Sequence, residues 1–145
     1  MFIKFKNHLS MSMVNSLLER FDTSFDKPLH DIIDINVYSE KLSLHAHFII
    51  AYDEKEIIGF VAYYINKEGQ YAYIPLIAVH KERRRRGVGH LMLSRLWEFL
   101  PVEIDKVRLE VKEGNISAQL FYKREGFIVL SGVNNGKFLL NKNRK

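Results

Sequence analysis

Val79-His-Lys-Glu-Arg-Arg-Arg-Arg-Gly-Val-Gly-His-Leu-Met92 is the most informative stretch of the sequence. It lies between an apolar, β-prone segment and a segment with helical periodicity, so it joins a predicted strand to a predicted helix. Gly87 and Gly89 allow a tight turn and a close approach of the backbone to a ligand. The N-terminus of the next helix presents amide N–H groups and a partial positive charge. Phosphate groups bind well at such a place, and the arginines from Arg84 to Arg86 favour a pyrophosphate.

Two familiar phosphate-binding patterns do not match this stretch. The P-loop of nucleotide-binding proteins needs a longer glycine spacing and a Gly-Lys-Ser/Thr ending, which is absent. The dinucleotide fingerprint needs a third glycine where this chain has Met92. Two glycines alone are a weak signal, so the neighbouring segments must contribute to the interpretation.

Downstream of Gly89, the apolar periodicity predicts a helix to about Leu100, and alternation predicts a strand at 106–111. A short helix at 115–124 and two final strands at 127–130 and 137–140 follow. Upstream, helices are predicted at 10–21 and after Asp34 or Asn36, with a loop at 23–30 between them, and a three-stranded meander at 47–52, 57–65 and 71–79. This order predicts an α/β (α+β) fold with helices packed on a sheet.

The composition fits one globular domain over residues 1–145, since 47% of the 145 residues are hydrophobic. No apolar run approaches the roughly 20 residues of a membrane span, and no signal peptide is apparent, so we expect a cytoplasmic protein that does not bind membranes. The chain has no cysteine, which excludes disulfides, thiolate zinc sites and a cysteine nucleophile. The six histidines show no convincing metal-binding arrangement, so no metal is expected.

The net charge of +5 is concentrated in the arginine run and in a basic C-terminal segment. We expect the segment at Lys137, Lys142, Arg144 and Lys145 to be a solvated, frayed end. The arginine run allows two other interpretations, a nucleic-acid patch or a solvated face. Its place directly before Gly87 favours the phosphate interpretation, so no nucleic-acid partner is expected.

A second motif follows downstream, Asn115-Ile-Ser-Ala-Gln-Leu-Phe-Tyr-Lys-Arg-Glu-Gly-Phe127. Arg84-Arg-Arg-Gly-Val-Gly89 resembles the Arg/Gln-x-x-Gly-x-Gly/Ala pyrophosphate loop of the GNAT acetyltransferase superfamily. The second motif resembles that family's Asn-x-x-Ala-x-x-Leu/Phe-Tyr-x-x-x-Gly-Phe signature, and Leu109-Glu-Val111 is also typical of the family. The resemblance covers roughly Ile57 to Phe127, about half of the chain.

The resemblance implies a mixed, strongly bent sheet of about six or seven strands with about four helices. Acetyl-CoA is then expected where the sheet opens between the third meander strand and the strand that holds Leu109, with Pro75 at a bulge. The pantetheine arm would pair with the backbone near Ile77 and Val79. The residues expected to bind the cofactor are Ile77, Ala78, Val79, Arg84, Arg85, Arg86, Gly87, Val88, Gly89, His90, Asn115, Ala118 and Tyr122.

The resemblance also implies chemistry, in which Tyr122 protonates the departing CoA thiolate as a general acid. Some family members carry a glutamate that acts as the general base on the third meander strand, where this chain has Tyr73. Deprotonation of the amine through water is the preferred interpretation, with Glu110 and His80 as further candidates. Tyr122 as a core aromatic and Asn115 as a helix N-cap remain simpler alternatives.

The acceptor pocket in this family is usually shaped by the first two helices and their loop, here Phe25 to His45. The candidate substrate residues are Tyr38, Lys41, His45, Tyr64, Asn66 and Tyr73, which suit a small polar amine such as an amino sugar. Acetylation of protein N-termini or lysines, and a non-catalytic acyl-CoA-binding module, are the alternatives. A homodimer is expected only from the family.

Overall fold

The computed structural model describes residues 1–25 and 27–145, which contain both strands and helices. Within the described residues the strands are β1 (Phe2–Lys6), β2 (His47–Asp53), β3 (Glu56–Asn66), β4 (Tyr71–Val79), β5 (Lys106–Lys112), β6 (Ile128–Asn134) and β7 (Lys137–Asn143). The α-helices are α1 (Met11–Arg20), α2 (Leu29–Ile32), α3 (Ile35–His45), α4 (Val88–Phe99) and α5 (Ile116–Arg124).

The strands form a seven-stranded mixed sheet in the order β1-β2-β3-β4-β5-β7-β6. The β4–β5 pairing is parallel, whereas β1–β2, β2–β3, β5–β7 and β6–β7 are antiparallel. This confirms the predicted mixed sheet of six or seven strands. The chain divides into two compact units, residues 1–64 with 76–99 and residues 65–75 with 100–145.

The first unit has a core formed between α1, α3 and the strands β2 and β3. Val14, Leu17 and Leu18 of α1 pack with Phe48 and Phe60, all of them with at most 4% of their surface exposed. Ser10 Oγ accepts a hydrogen bond from Met13 N (3.2 Å), which caps the start of α1. In the same way, Asp34 Oδ1 accepts from Val37 N (3.2 Å) and begins α3, so Asp34 is the cap of the two predicted candidates, Asp34 and Asn36.

The second unit is built on β5, whose alternate residues Val107, Leu109 and Val111 are buried. Leu109 pairs with Leu140 of β7, and α5 and Phe127 contribute further apolar side chains. Four residue pairs join β4 to β5, from Tyr71↔Lys106 to Ile74↔Leu109. The register ends just before Pro75, a residue with no amide hydrogen to donate to a ladder.

Three features differ from the predictions or extend them. β1 was not predicted, because its alternation is confined to five residues. One helical turn, α2 (Leu29–Ile32), begins within the segment predicted as a loop at 23–30, where Asp26 is outside the described residues. The prediction of a frayed basic end was wrong: β7 extends to Asn143, and the Arg144 guanidinium donates to Pro101 O (3.1 Å) and Ile104 O (2.7 Å).

Within the described part of the chain, no helix is long and apolar enough to span a bilayer.

Gly59 of β3 sets how closely α4 packs on the strands of the first unit. A Cβ at this position would lie 3.0 Å from Ala78 O, 3.2 Å from Met92 Cε and 3.3 Å from Val88 Cγ1. Val88 and Met92 belong to α4, so the missing side chain lets the first turns of this helix approach the sheet. The same turns follow directly on the Gly87-Val-Gly89 motif.

We predict that Gly59→Ala lowers the free energy of unfolding by about 1–3 kcal/mol, because the added methyl group overpacks the contact with α4. Gly114→Ala is the matched control, since a Cβ there meets nothing within 4 Å. Urea denaturation of both variants measures the difference. Equal stability of the two variants would contradict the close packing at Gly59.

Candidate active site

The Gly87-Val-Gly89 motif folds as a compact turn that runs into the first turn of α4. Arg85 has φ 63° and Gly87 has φ 80°, so two nearby residues adopt the left-handed conformation. A Cβ on Gly87 would meet nothing within 4 Å, so the space beside it is open. Leu91 N donates to Gly87 O (2.9 Å), which leaves the Val88 and Gly89 amides in the first turn, ahead of this bond. This geometry fits a phosphate-bearing ligand.

The four consecutive arginines have different environments. Arg83 pairs with Asp53 and, at 3.4 Å, with Glu56, so it fastens the turn to the β2–β3 connection. The Arg84 guanidinium donates to Val79 O (3.4 Å, from Nε) and to Ser24 O. Arg85 and Arg86 are exposed and form no ion pair with any described residue. Arg85 and Arg86 are therefore the arginines placed to meet an anion, whereas Arg83 and Arg84 hold the turn.

Arg84 also connects this turn to the segment after α1, where the acceptor pocket was predicted. Ser24 closes a 3-10 turn (Asp22–Ser24) that follows α1. The Asp22 carboxylate accepts from His30 N (2.8 Å) and lies 2.7 Å from His30 Nδ1. The hydrogen bond to Asp22 raises the pKa of His30 above its ordinary value. The 3-10 turn is thus anchored at Asp22, through His30, and at Ser24, through Arg84.

The other residues predicted to bind the cofactor in this region lie on β4 and on the first turn of α4, on either side of the arginine turn. Ile77 and Val79 are half-buried and Ala78 is buried, while His90 is exposed on the first turn of α4. His80 Nδ1 accepts from Glu82 N (3.3 Å) and its ring packs edge-on to Phe21. This structural role makes His80 a weaker candidate for a base.

Tyr122 lies on α5 of the second unit and is only 8% exposed. Its ring packs edge-on to Phe121 (5.2 Å between centroids) and Phe127 (5.6 Å). Burial raises the pKa of Tyr122, because an ionised phenolate would lose its hydration. The phenol therefore stays protonated over the physiological pH range.

Asn115 is the N-cap of α5. Its Oδ1 accepts from Ala118 N (3.2 Å), and Ala118 itself is half-buried. The side-chain oxygen of Asn115 therefore has the simpler of the two predicted roles, that of a helix cap.

A tyrosine–glutamate pair joins β4 to β5 in the second unit. Tyr73 Oη donates to Glu110 Oε1 at 2.8 Å, and the Glu110 side chain is exposed. Tyr73 is in register with Arg108, two residues before Glu110 on the same face of β5. The Glu110 carboxylate is thus held beside Tyr73. Sequence alone named both residues but did not pair them, since the pairing depends on the strand register.

The candidate substrate residues divide into separate groups. Tyr38 and Tyr64 lie together in the first unit, and Lys41 Nζ is 5.7 Å from the Tyr64 ring centroid. Burial, with the neighbouring Tyr64, raises the pKa of Tyr38 to about 12. Among the described residues, Tyr64 Oη is buried without a hydrogen-bond partner. His45 is exposed at the end of α3.

Asn66 belongs to the β3–β4 hairpin. Its Oδ1 accepts from Gly69 N (2.8 Å), and its Nδ2 donates to Tyr71 Oη (3.1 Å). Both polar atoms of this side chain stabilise the turn, which weakens its candidacy as a substrate residue.

The described residues also hold no cluster of three or more histidine or acidic side chains suited to a metal ion.

Comparisons with known proteins agree with this geometry. Residues 11–127 match the family model described as the acetyltransferase (GNAT) family. The chain therefore belongs to the GNAT family of acetyltransferases, as the two motifs predicted. No curated protein sequence matches it.

Solved structures with the same fold include several acetyltransferases. PaiA N-acetyltransferase from Thermoplasma acidophilum, in complex with coenzyme A, is 21% identical over 99% of both chains, with a TM-score of 0.75. An acetyltransferase from Thermus thermophilus is 14% identical over 99% of this chain and 97% of its own, with a TM-score of 0.80. A putative streptothricin acetyltransferase from Bacillus anthracis, in complex with acetyl coenzyme A, is 25% identical over 69% of this chain and 62% of its own, with a TM-score of 0.57.

We predict that Arg84→Ala loosens the segment after α1, because it removes the hydrogen bond to Ser24 O. The Ser24 amide, which donates to Phe21 O (2.9 Å), should exchange its hydrogen about fivefold faster, corresponding to ~1 kcal/mol. Arg86→Ala is the control with the same loss of charge. Hydrogen exchange followed by NMR measures the effect, and equal exchange in both variants would show that Arg84 does not anchor this segment.

Proposed function

We propose that this acetyltransferase moves the acetyl group of acetyl-CoA directly to the primary amine of a small polar acceptor, with amino sugars among the candidates. The observation that carries the proposal is the open turn at Arg85 and Gly87, which presents backbone amides and two exposed arginines at the start of α4. The donor is acetyl-CoA, which supplies an activated acetyl thioester. The coenzyme A and acetyl coenzyme A complexes of the similar structures support this assignment.

Backbone groups do most of the donor binding in this proposal. Main-chain amides from Arg84 to Gly89 hold the pyrophosphate, and the side chains of Arg85 and Arg86 add positive charge. The β4 backbone at Ile77, Ala78 and Val79 pairs with the pantetheine arm beyond the end of the β4–β5 register. Asn115, Ala118 and His90 complete the donor contacts. Gly87 favours a close approach of the pyrophosphate to the backbone, because no side chain fills the space beside this residue.

Tyr122 serves as the general acid. The acceptor nitrogen forms a bond to the acetyl carbonyl carbon as the carbon–sulfur bond breaks, and Tyr122 Oη gives its proton to the departing thiolate. Burial keeps this phenol protonated before the transfer. The acceptor nitrogen loses one proton in the same reaction, and Tyr122 then takes one proton back. The overall transfer therefore consumes no net proton.

Glu110 serves as the base that takes the proton from the acceptor amine, directly or through one water molecule. Tyr73 orients this carboxylate through the 2.8 Å hydrogen bond. The pair favours Glu110 over His80, whose Nδ1 already accepts from the Glu82 amide. Tyr73 is accordingly a positioning residue.

A small acceptor is favoured over a basic protein segment. The net charge of +5 opposes the approach of lysine-rich peptides. The streptothricin acetyltransferase likeness supports a small-molecule amine, and Tyr38, Lys41 and Tyr64 are the group that would contact it in the first unit.

Calorimetric titration with acetyl-CoA, followed by a thiol-release assay over amino sugars, amino acids, polyamines and peptides, tests the proposal. Micromolar binding with turnover on one small amine class is expected. Turnover only on peptides would favour the protein acetyltransferase, and binding without turnover on any amine would favour a non-catalytic acyl-CoA-binding module.

We predict that Tyr122→Phe lowers kcat by about 10²–10⁴-fold, because the variant lacks the proton donor. The dissociation constant of acetyl-CoA should change little. Tyr52→Phe, at a tyrosine that stacks on Phe2, is the matched control. A loss of acetyl-CoA affinity as large as the loss of kcat would show that Tyr122 acts in binding rather than as the acid.

We predict that Glu110→Gln also lowers kcat by about 10²–10⁴-fold near neutral pH. The defect should shrink when the pH exceeds the pKa of the acceptor amine, because the amine is then already neutral. Glu113→Gln, an exposed glutamate on the same segment, is the control. A defect that stays constant across this pH range would rule out Glu110 as the base.

A further inference from the structure

Arg108 is held in place by two uncharged neighbours on the polar face of the second unit. Its Nε donates to Asn141 Oδ1 at 3.1 Å, and its guanidinium carbon lies 4.6 Å from the Tyr71 ring centroid. Asn141 is itself only 4% exposed, and its Nδ2 donates to Asn143 Oδ1 (3.0 Å), which orients its oxygen towards Arg108. The guanidinium is therefore pre-positioned by a buried amide and an aromatic face.

Within the described part of the chain, no carboxylate lies within ion-pair distance of Arg108. Lys106, on the same face of β5, has such a partner in Asp105 (2.8 Å). The bond to Asn141 uses one of the five guanidinium donors of Arg108. A half-buried cation is stabilised when an anion completes its surroundings, so this arrangement fits an anionic group supplied by a ligand.

The position of Arg108 relates it to the proposed base. Arg108 and Glu110 are two residues apart on one face of β5, which separates their Cα atoms by about 6–7 Å. Tyr73, which holds Glu110, is in register with Arg108. A molecule whose amine meets Glu110 therefore places a second group within reach of Arg108.

We propose that Arg108 binds an anionic group of the acceptor, so that the substrate is an amine carrying a carboxylate or a phosphate. This inference rests on the proposed function and narrows its substrate class. The two charges are matched to such a molecule: Glu110 faces the ammonium group and Arg108 faces the anion. The positive charge of the whole chain also favours the approach of an acceptor with an anionic group.

Matched acceptors test the inference and separate the two anions. The carboxylate arm compares L-serine with L-serinamide, and the phosphate arm compares glucosamine 6-phosphate with glucosamine. The anionic member of at least one pair should show a kcat/KM about tenfold or more above its neutral partner, as expected for one charge-assisted hydrogen-bonded contact.

Arg108→Gln should abolish that preference while leaving turnover of the neutral acceptors and the dissociation constant of acetyl-CoA unchanged. Glutamine can still donate to Asn141 Oδ1, so the fold is expected to persist, and thermal unfolding checks this. Lys106→Gln removes the same charge from the same face and should keep the preference. Equal use of anionic and neutral acceptors by the wild type, or an unchanged preference in Arg108→Gln, would overturn the inference.

A binding measurement keeps the inference testable if the proposed function fails and no amine is acetylated. O-phosphoethanolamine, which carries an amine and a phosphate, is titrated into the protein with CoA present while the Arg108 Nε–H resonance is followed by NMR. Saturable binding that Arg108→Gln removes supports the anion site. Equal binding by both proteins, or no binding at millimolar concentration, contradicts it.

Discussion

The parallel pairing of β4 with β5 is the constraint on which the polar face of the second unit depends. Its four residue pairs end at Ile74↔Leu109, immediately before a proline that cannot donate a ladder hydrogen bond. Because side chains alternate along a strand, this register places Tyr73, Arg108 and Glu110 on one face and Leu109 on the buried face. A shift of one residue would exchange these faces and remove both the tyrosine–glutamate pair and the arginine beside it.

The basic charge of the chain serves structure and, in the proposed function, the binding of acetyl-CoA. Arg83, Arg84 and Arg144 hold loops through carboxylates or backbone carbonyls, whereas Arg85 and Arg86 remain exposed on the turn before α4. A run of four arginines is therefore a poor measure of how much charge faces a phosphate. The distinction depends on what each guanidinium contacts, because a guanidinium that donates to a carbonyl still carries its charge but no longer moves freely.

Much of the fold could be predicted from sequence because its longer elements have clear periodicity and caps. Ser10 begins α1 as predicted, and Asp34, one of two predicted caps, begins α3. The two sequence motifs place α4 and α5. β1 was missed because five residues of alternation carry little signal without their partner β2. The pairing of Tyr73 with Glu110 could not be predicted, since 37 residues separate them and only the parallel register brings them together. The anchoring of Arg144 to Pro101 and Ile104 depends on the same kind of distant contact.

Direct transfer to an amine requires one group that gives a proton and one that takes a proton, and the two need opposite environments. A phenol is kept neutral by burial, and Tyr122 is enclosed by Phe121 and Phe127. A group that takes a proton must be within reach of the amine, and Glu110 is exposed and accepts a hydrogen bond from Tyr73. The strand alternation of β5 exposes Glu110, and the packing of α5 buries Tyr122. In the proposed function, the acid and the base are therefore distinguished by where the sequence places them in the sheet and helix, and not by residue type alone.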